Sequence, residues 1–365
     1  MNLVIIKPKC KDAYKTERLD EILRYALGIY SESGGSIIQY IETSELLKQK
    51  VSEEKLKNRK ILFAVCLGDS GVNIEYYQML KILRTSAECL SGSVAGVVID
   101  GKNEYYTKSI ARELVLTANI HGCSFIGSPL VEGTGSLKNF EVKAANMKKD
   151  TFEAYKEFTR RLLEKLDQCR FPKTDRPKIL CVHASNKKTS NTVGLWNLVR
   201  EHLDARCEIR EISLYREQIQ DCAGCNYAVC FHYGNQNKCY YKDAIVEEIY
   251  PALEECDALV LLCPNYNDAL GAELTAFVNR LTALYRKKPF DDKYLYAVIV
   301  SGYSGGDIIA EQLLDGLNMN KAFILPGRFA LTATANAPGS VFEIPEIRRK
   351  AWKFARNMYQ ILSAR

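Results

Sequence analysis

The chain has 365 residues, 47% hydrophobic and 26% charged, which excludes a disordered or fibrous protein and favours two domains over one core. Its formal charge of +6 comes from Lys and Arg scattered through the chain with only short clusters such as Lys57 to Lys60, a solvated surface and not a nucleic-acid-binding face. No apolar run is long enough to span a bilayer, and the N-terminal MNLVIIKPKC lacks the features of an export signal. A cytoplasmic chain with reduced thiols is therefore expected, despite 13 cysteines.

In chain order, NLVIIKP, SIIQYIE, KILFAVCL, VAGVVIDG and CSFIGSPLV read as strands, separated by amphipathic segments such as RLDEILRYALGIY, EYYQMLKILR and YYTKSIARELVLTAN. Short β-branched runs alternating with helical periods predict a parallel sheet covered by helices on both faces. This first domain is expected over residues 1–150. A connecting helix from Thr151 to Leu166 and a linker follow to residue 176, where Pro172 and Pro177 stop any helix.

The pattern then repeats over residues 177–365, with strands at KILCVHA, CEIREISL, DALVLLCPNY, YLYAVIVSGY and AFILPG and a closing helix from Pro345 to Leu362. The fold class is α/β: two doubly wound parallel sheets in tandem, each a three-layer α/β/α sandwich. In such a sheet, of strand order 2-1-3-4-5, ligands gather beyond the carboxyl ends of the strands.

Three loops of the second domain lie at those ends. The first runs from Ser185 to Thr192, where Ser185, Lys187, Ser190, Asn191 and Thr192 bring hydroxyls, an amide and a cation to a helix N-terminus, a combination that suits a phosphate. Helix capping by Ser190 or Asn191 is the plainer use of such residues, but capping needs only one of them. The second loop offers Pro264, Asn265, Tyr266 and Asn267, and the third offers Ser301, Gly302 and Tyr303 with further glycines. An aromatic, an amide pair and a glycine turn suit a planar heteroaromatic ring; either loop alone reads equally as an ordinary βα turn.

On the ASNKKTSNT loop, the DALVLLCPNY strand, the AELTAFVNRL helix and the SGYSGGD turn, residues Pro177 to Arg365 resemble the NAD(P)H-dependent FMN reductases, a flavodoxin-like family. The resemblance implies tandem flavodoxin-like domains, the first of them degenerate. It implies FMN as cofactor, its phosphate on Ser185, Lys187, Ser190, Asn191 and Thr192, and its ring against Pro264, Asn265, Tyr266, Asn267, Ser301 and Gly302. Lys187 stands where an arginine is common, and Thr275 and Asn279 where Lys and Asp are usual. NAD(P)H is the implied electron donor and a small organic molecule the acceptor. A second subunit often completes such sites, which implies a homodimer. Hydride transfer between nicotinamide and flavin needs no side-chain acid or base, so no catalytic residue is expected.

Cys222, Cys225, Cys230 and Cys239 form a separate cluster that resembles the cysteine segment of iron–sulfur flavoproteins, with wider later gaps. Three readings stay open: free thiols, an iron–sulfur cluster, or zinc, with His232 able to replace one thiolate. In the first domain the loop KPKCKDAYKTER lacks Ser/Asn density, and the glycine-rich stretches CLGDSGVNIEYY and GSPLVEGTGSLKNF read as turns, flavin cover or pocket lining, with no cofactor of their own. The expected activity is an FMN-dependent NAD(P)H oxidoreductase. The alternatives are an electron-transfer protein carrying FMN, with or without an iron–sulfur cluster, and a cofactor-free scaffold.

Overall fold

The computed structural model describes residues 2–10, 17–31 and 37–364, divided into two compact units, Met1–Arg170 and Phe171–Arg365. Among these residues no helix is long and apolar enough to cross a membrane.

The first unit holds strands β1 (Asn2–Ile6), β2 (Ile37–Ile41), β3 (Lys60–Cys66), β4 (Val94–Asp100) and β5 (Ser124–Gly133), all parallel, in the order β2-β1-β3-β4-β5. Both faces of the central strands are covered. KILFAVC and VAGVVID are accordingly buried almost throughout, as parallel strands between two helical layers must be. The helices are α1 (Glu17–Ser31), α2 (Ser44–Ser52), α3 (Ile74–Thr85), α4 (Thr107–Ile120), α5 (Glu141–Met147) and α6 (Thr151–Asp167). Asn73 caps α3 and Asp150 caps α6, each side chain accepting a backbone N–H of the first turn.

Helix α6 occupies the span expected as a connection. It instead lies within the first unit, where Ala154, Tyr155, Leu162, Leu163 and Leu166 form a buried stripe and the helix packs on α1 and on β5. The division between units falls after it, at Arg170.

The second unit repeats the topology with β6 (Lys178–His183), β7 (Glu208–Ser213), β8 (Ala258–Pro264), β9 (Tyr294–Ser301) and β10 (Ala330–Thr334), in the order β7-β6-β8-β9-β10. This is the 2-1-3-4-5 order of the flavodoxin-like fold. Its helices are α7 (Asn191–Arg200), α8 (Tyr227–Asn235), α9 (Tyr250–Glu255), α10 (Ala272–Arg280), α11 (Thr282–Lys287), α12 (Gly306–Leu313) and α13 (Ile347–Leu362). Trp196 of α7, Tyr296 of β9 and Phe354 of α13 are buried in a core that α7 and α13 close over one face of the sheet.

The fifth strand of this sheet differs from expectation. Within AFILPG only Ile324 and Leu325 take bridge positions, Ile324 opposite Tyr294, whereas Ala330–Thr334 pairs with β9 along its whole length. Pro326 has no N–H to give a ladder, and Arg328 turns the chain at a φ of 60°, so pairing resumes only after the turn.

At the carboxyl edge of the first sheet, Arg18 of α1 donates to both carboxylate oxygens of Asp100, at 2.9 and 3.1 Å, and to the carbonyls of Gly101 and Thr134. Gly133 and Gly135 add two longer contacts from the same glycine-rich stretch. One guanidinium thus ties the ends of β4 and β5 to α1. Burial pushes the Asp100 carboxyl up, with Arg18 opposing the shift. Arg18→Ala is expected to lower the stability of the first unit by about 3 kcal/mol, since it strands a buried carboxylate; urea denaturation monitored on that unit measures it.

Candidate functional site

The β6–α7 turn is built around Asn186, whose side-chain oxygen accepts the Lys188 N–H at 3.0 Å and whose carbonyl accepts the N–H of Ser190 at 3.0 Å. Ser190 caps α7, accepting from Val193 N–H at 3.3 Å. The N–H groups of Asn191 and Thr192, the first two of the helix, have no acceptor among the described residues. Beside them Ser185 is 3% exposed, and its Oγ has no hydrogen-bond partner among the described residues. A buried hydroxyl and two helix-terminal N–H groups left unpaired form a donor set for an anion.

Two residues assigned to that donor set from the sequence are otherwise engaged. The Asn191 amide donates to the carbonyls of Ala335 and Ala337, at 3.2 and 2.8 Å, and its oxygen accepts Gly339 N–H at 2.9 Å. Its side chain therefore clamps the loop after β10. Lys187 Nζ lies 2.6 Å from Glu211 Oε1. Thr192 is buried, with its backbone in the first turn of α7.

Glu211 sits among three basic groups: His183 Nε2 at 3.5 Å, Lys187, and Arg200 at 3.5 Å. The proximity of His183, and then of Lys187, outweighs burial and holds its carboxyl down at about 2. Because the folded-state value lies below the ordinary 4.5, the stabilisation is complete above about pH 4.5 and is lost as pH falls toward 2.

The β8 and β9 loops are tied together by Asn265. Its amide donates to Ser304 O at 2.8 Å, Asp268 Oδ1 at 3.1 Å and Ser301 Oγ at 3.3 Å, while its oxygen accepts Asp268 N–H at 2.8 Å. Asn267 and Asp268 hold φ values of 54° and 57°, which Asn and Asp tolerate better than other side chains. Gly305, at φ +82°, passes so close that a Cβ there would meet Asp268 Oδ1 at 2.0 Å. Asn336 donates to Tyr303 Oη at 3.0 Å and lies against Gly302. Above this framework Tyr266 and Tyr303 are 58% and 83% exposed, and neither makes an aromatic contact among the described residues. The structure thus brings Pro264, Asn265, Tyr266 and Asn267 together with Ser301, Gly302 and Tyr303 at one sheet edge, with Ser301 buried beneath.

Asp268, Ser304 and Asn336 belong to the same framework and were not legible as site residues, whereas Gly305 is one of the further glycines of the third loop. The Asn336-Ala337-Pro338-Gly339 turn carries the only local signal, a turn composition directly after β10.

The four clustered cysteines, Cys222, Cys225, Cys230 and Cys239, form no disulfide and line one cavity of about 170 Å³ beside Arg280 and Arg286. Burial raises the Cys230 thiol, with Arg286 opposing. No group of three His, Cys, Asp or Glu among the described residues is arranged to hold a metal ion. His232 is bonded through Nε2 to Gln236 at 3.0 Å and does not line the cavity, so it does not substitute for a thiolate. Asn279 donates to Asp221 Oδ1 at 2.9 Å, and the same oxygen accepts Cys222 N–H at 2.7 Å. The unusual amide in α10 therefore anchors the cysteine segment. In the first unit, part of the β1–α1 loop, residues 11–16, lies outside the described residues. Of the two glycine-rich stretches there, the first turns the chain, with Gly71, at φ +74°, packed under Tyr106; the second runs in β5 as far as Gly133, and its segment from Gly133 to Gly135 supplies carbonyls to Arg18.

Residues 177–336, which run from just before β6 to Asn336, match the family model of the NADPH-dependent FMN reductases. The match covers β6 through β10 and the loops that follow β6, β8 and β9. Among curated proteins none matches the chain. Among solved structures, the NAD(P)H:quinone oxidoreductase from Methanothermobacter marburgensis is similar at 16% identity over 50% of this chain and 99% of that one, with a TM-score of 0.37. An FMN-dependent NADH-azoreductase from Bacillus anthracis str. Ames Ancestor has 12% identity over 50% and 98%, with a TM-score of 0.34. The Trp repressor binding protein from Bacillus subtilis has 16% identity over 48% and 99%, with a TM-score of 0.35.

The Glu211 cluster gives a direct expectation. Glu211→Gln should lower the melting temperature at pH 7 by roughly 2–4 °C, the shift that about 1 kcal/mol produces in a domain of this size. The gap to the wild type should close as pH is brought from 4.5 toward 2, which calorimetry across that range checks.

Proposed function

We propose that the chain is an FMN-dependent NAD(P)H oxidoreductase whose second unit holds the flavin, with a small organic oxidant such as a quinone or a free flavin as acceptor. The observation that carries this reading is the unpaired buried Ser185 hydroxyl beside the free N–H groups of Asn191 and Thr192, within the segment that matches the FMN reductases. These groups fit the phosphate of FMN: all are donors, and they converge at the positive end of a helix. Ser190 keeps its oxygen for capping and has its hydroxyl proton to give. Lys187 neutralises charge from the rim, where it is shared with Glu211.

The ring would lie against Tyr266, Tyr303 and the backbone near Gly302. Asn265 and Asn336 hold the loops in register and do not themselves face a ligand. When bound, FMN supplies the two-electron chemistry between nicotinamide and acceptor. The protein's part is to seat the phosphate and to fix the two tyrosine-bearing loops at the sheet edge. Both rings are exposed, so a second copy of the chain covering them would close the site to water, in keeping with a homodimer.

One other reading is an FMN electron carrier that trades electrons with a protein partner, without a metal cluster, for which no group of ligands is arranged among the described residues. Steady turnover with NADH or NADPH and a quinone supports the enzyme; reduction only by a protein donor supports the carrier.

Ser185→Ala separates a ligand-binding hydroxyl from a structural one. Removing a buried group that has no partner should leave the stability of the FMN-free protein unchanged or higher. FMN affinity should fall roughly tenfold to a hundredfold, the worth of one hydrogen bond to a charged group. Fluorescence titration with FMN, paired with thermal melts, reads both; unchanged affinity removes Ser185 from the site.

A further inference from the structure

The second unit carries another cavity, of about 420 Å³, lined by His202, Arg206, Trp352, Arg356, Tyr359 and Gln360. It lies between α13 and the turn that follows α7. The phosphate-binding donors are at the N-terminus of α7, and His202 to Arg206 follow its C-terminus, a helix length of ~15 Å away. The cavity is therefore separate from the candidate flavin site.

Its chemistry is one-sided. The lining holds two arginines and a histidine and no carboxylate. Helix α13 carries Arg348, Arg349, Lys350, Lys353 and Arg356 and no Asp or Glu, and among the described residues Arg349 alone of these has an ion-pair partner, Glu346. Arg206 lies over the Tyr359 ring at 5.2 Å, and Arg356 over the Trp352 ring at 5.3 Å. Neither guanidinium has a carboxylate or hydrogen-bond partner among the described residues. A guanidinium that lies over a ring presents its face to it and leaves its in-plane N–H donors free. Trp352 is 41% exposed, so apolar ring surface remains available beside these donors. The volume falls within the range of small-molecule sites.

We propose that this cavity binds a nucleotide, with its phosphate between Arg206 and Arg356 and its base against Trp352. Two guanidiniums, each a planar fork of donors, recognise a phosphate better than lysines would, and an exposed indole supplies a stacking surface for the base.

The test uses the FMN-loaded full-length chain and AMP as the probe, with adenosine and inorganic phosphate as its separate halves. The chain has two tryptophans; Trp196 is buried and Trp352 is exposed, so AMP should quench the Trp352 fluorescence. Calorimetry should show one AMP per chain, at least tenfold tighter than adenosine or phosphate alone, without release of FMN. Arg206→Ala with Arg356→Ala should weaken AMP at least tenfold and leave flavin occupancy and melting temperature unchanged. Arg206→Lys with Arg356→Lys, which keeps the charge but loses the fork, should also weaken it. Trp352→Phe should abolish the quench while binding persists in calorimetry. The proposal is overturned if AMP does not bind, if it binds by displacing FMN, if the double alanine or double lysine variant binds as the wild type does, or if a short RNA or an acidic peptide binds where AMP does not.

Discussion

A hydroxyl taken out of water with no partner costs about 1–3 kcal/mol, and Ser185 carries such a hydroxyl at the end of β6. Folding alone gives no return on it. Its neighbours, the first N–H groups of α7, are unpaired by the geometry of any helix start, and here no side chain turns back to satisfy them apart from the Ser190 cap on Val193. The turn is nonetheless well defined, since Asn186 fixes it with two backbone bonds and Asn191 fixes the helix to the loop after β10. A rigid frame around unpaired donors is what preorganised anion binding requires, and the rest of the functional reading follows from it.

The two units show how one topology takes different roles. Both have the strand order 2-1-3-4-5 and buried parallel strands. At the carboxyl edge of the first sheet, a single arginine spends its donors on Asp100 and on the carbonyls of the β4 and β5 ends, so the groups that turn toward that edge are satisfied within the chain. At the corresponding edge of the second sheet, asparagines play the linking role: Asn191, Asn265 and Asn336 each bind backbone or side-chain groups of another loop. Amides can donate and accept at once, so they hold loops together without adding charge. That leaves the donors at the start of α7 and the faces of Tyr266 and Tyr303 for a ligand.

The strands were legible because a parallel strand between two helical layers must be apolar almost throughout, as KILFAVC and ALVLLCP are, and glycine and proline punctuate the turns. The fifth strand of the second unit was not, because AFILPG is the more apolar segment and is buried throughout, whereas ALTAT at the sheet edge carries two threonines and only Leu331 is buried. Burial and pairing are separate properties, and composition reports the first. The position of the candidate site was legible from its loop residues, but their bonding was not. Asn191 reads as a phosphate ligand until its partners, 144 and 146 residues away, are seen. Arg18 reads as a surface helix residue for the same reason, and the Arg206–Trp352 cavity is assembled from two segments that carry no common motif.

The most direct measurement of the central claim compares FMN with riboflavin, which differ only in the phosphate. If the start of α7 and Ser185 seat that group, FMN should bind at least roughly a hundredfold more tightly, the equivalent of two charge-assisted hydrogen bonds. Equal affinities for the two flavins would contradict the account, because the donors on which it rests would then be contributing nothing.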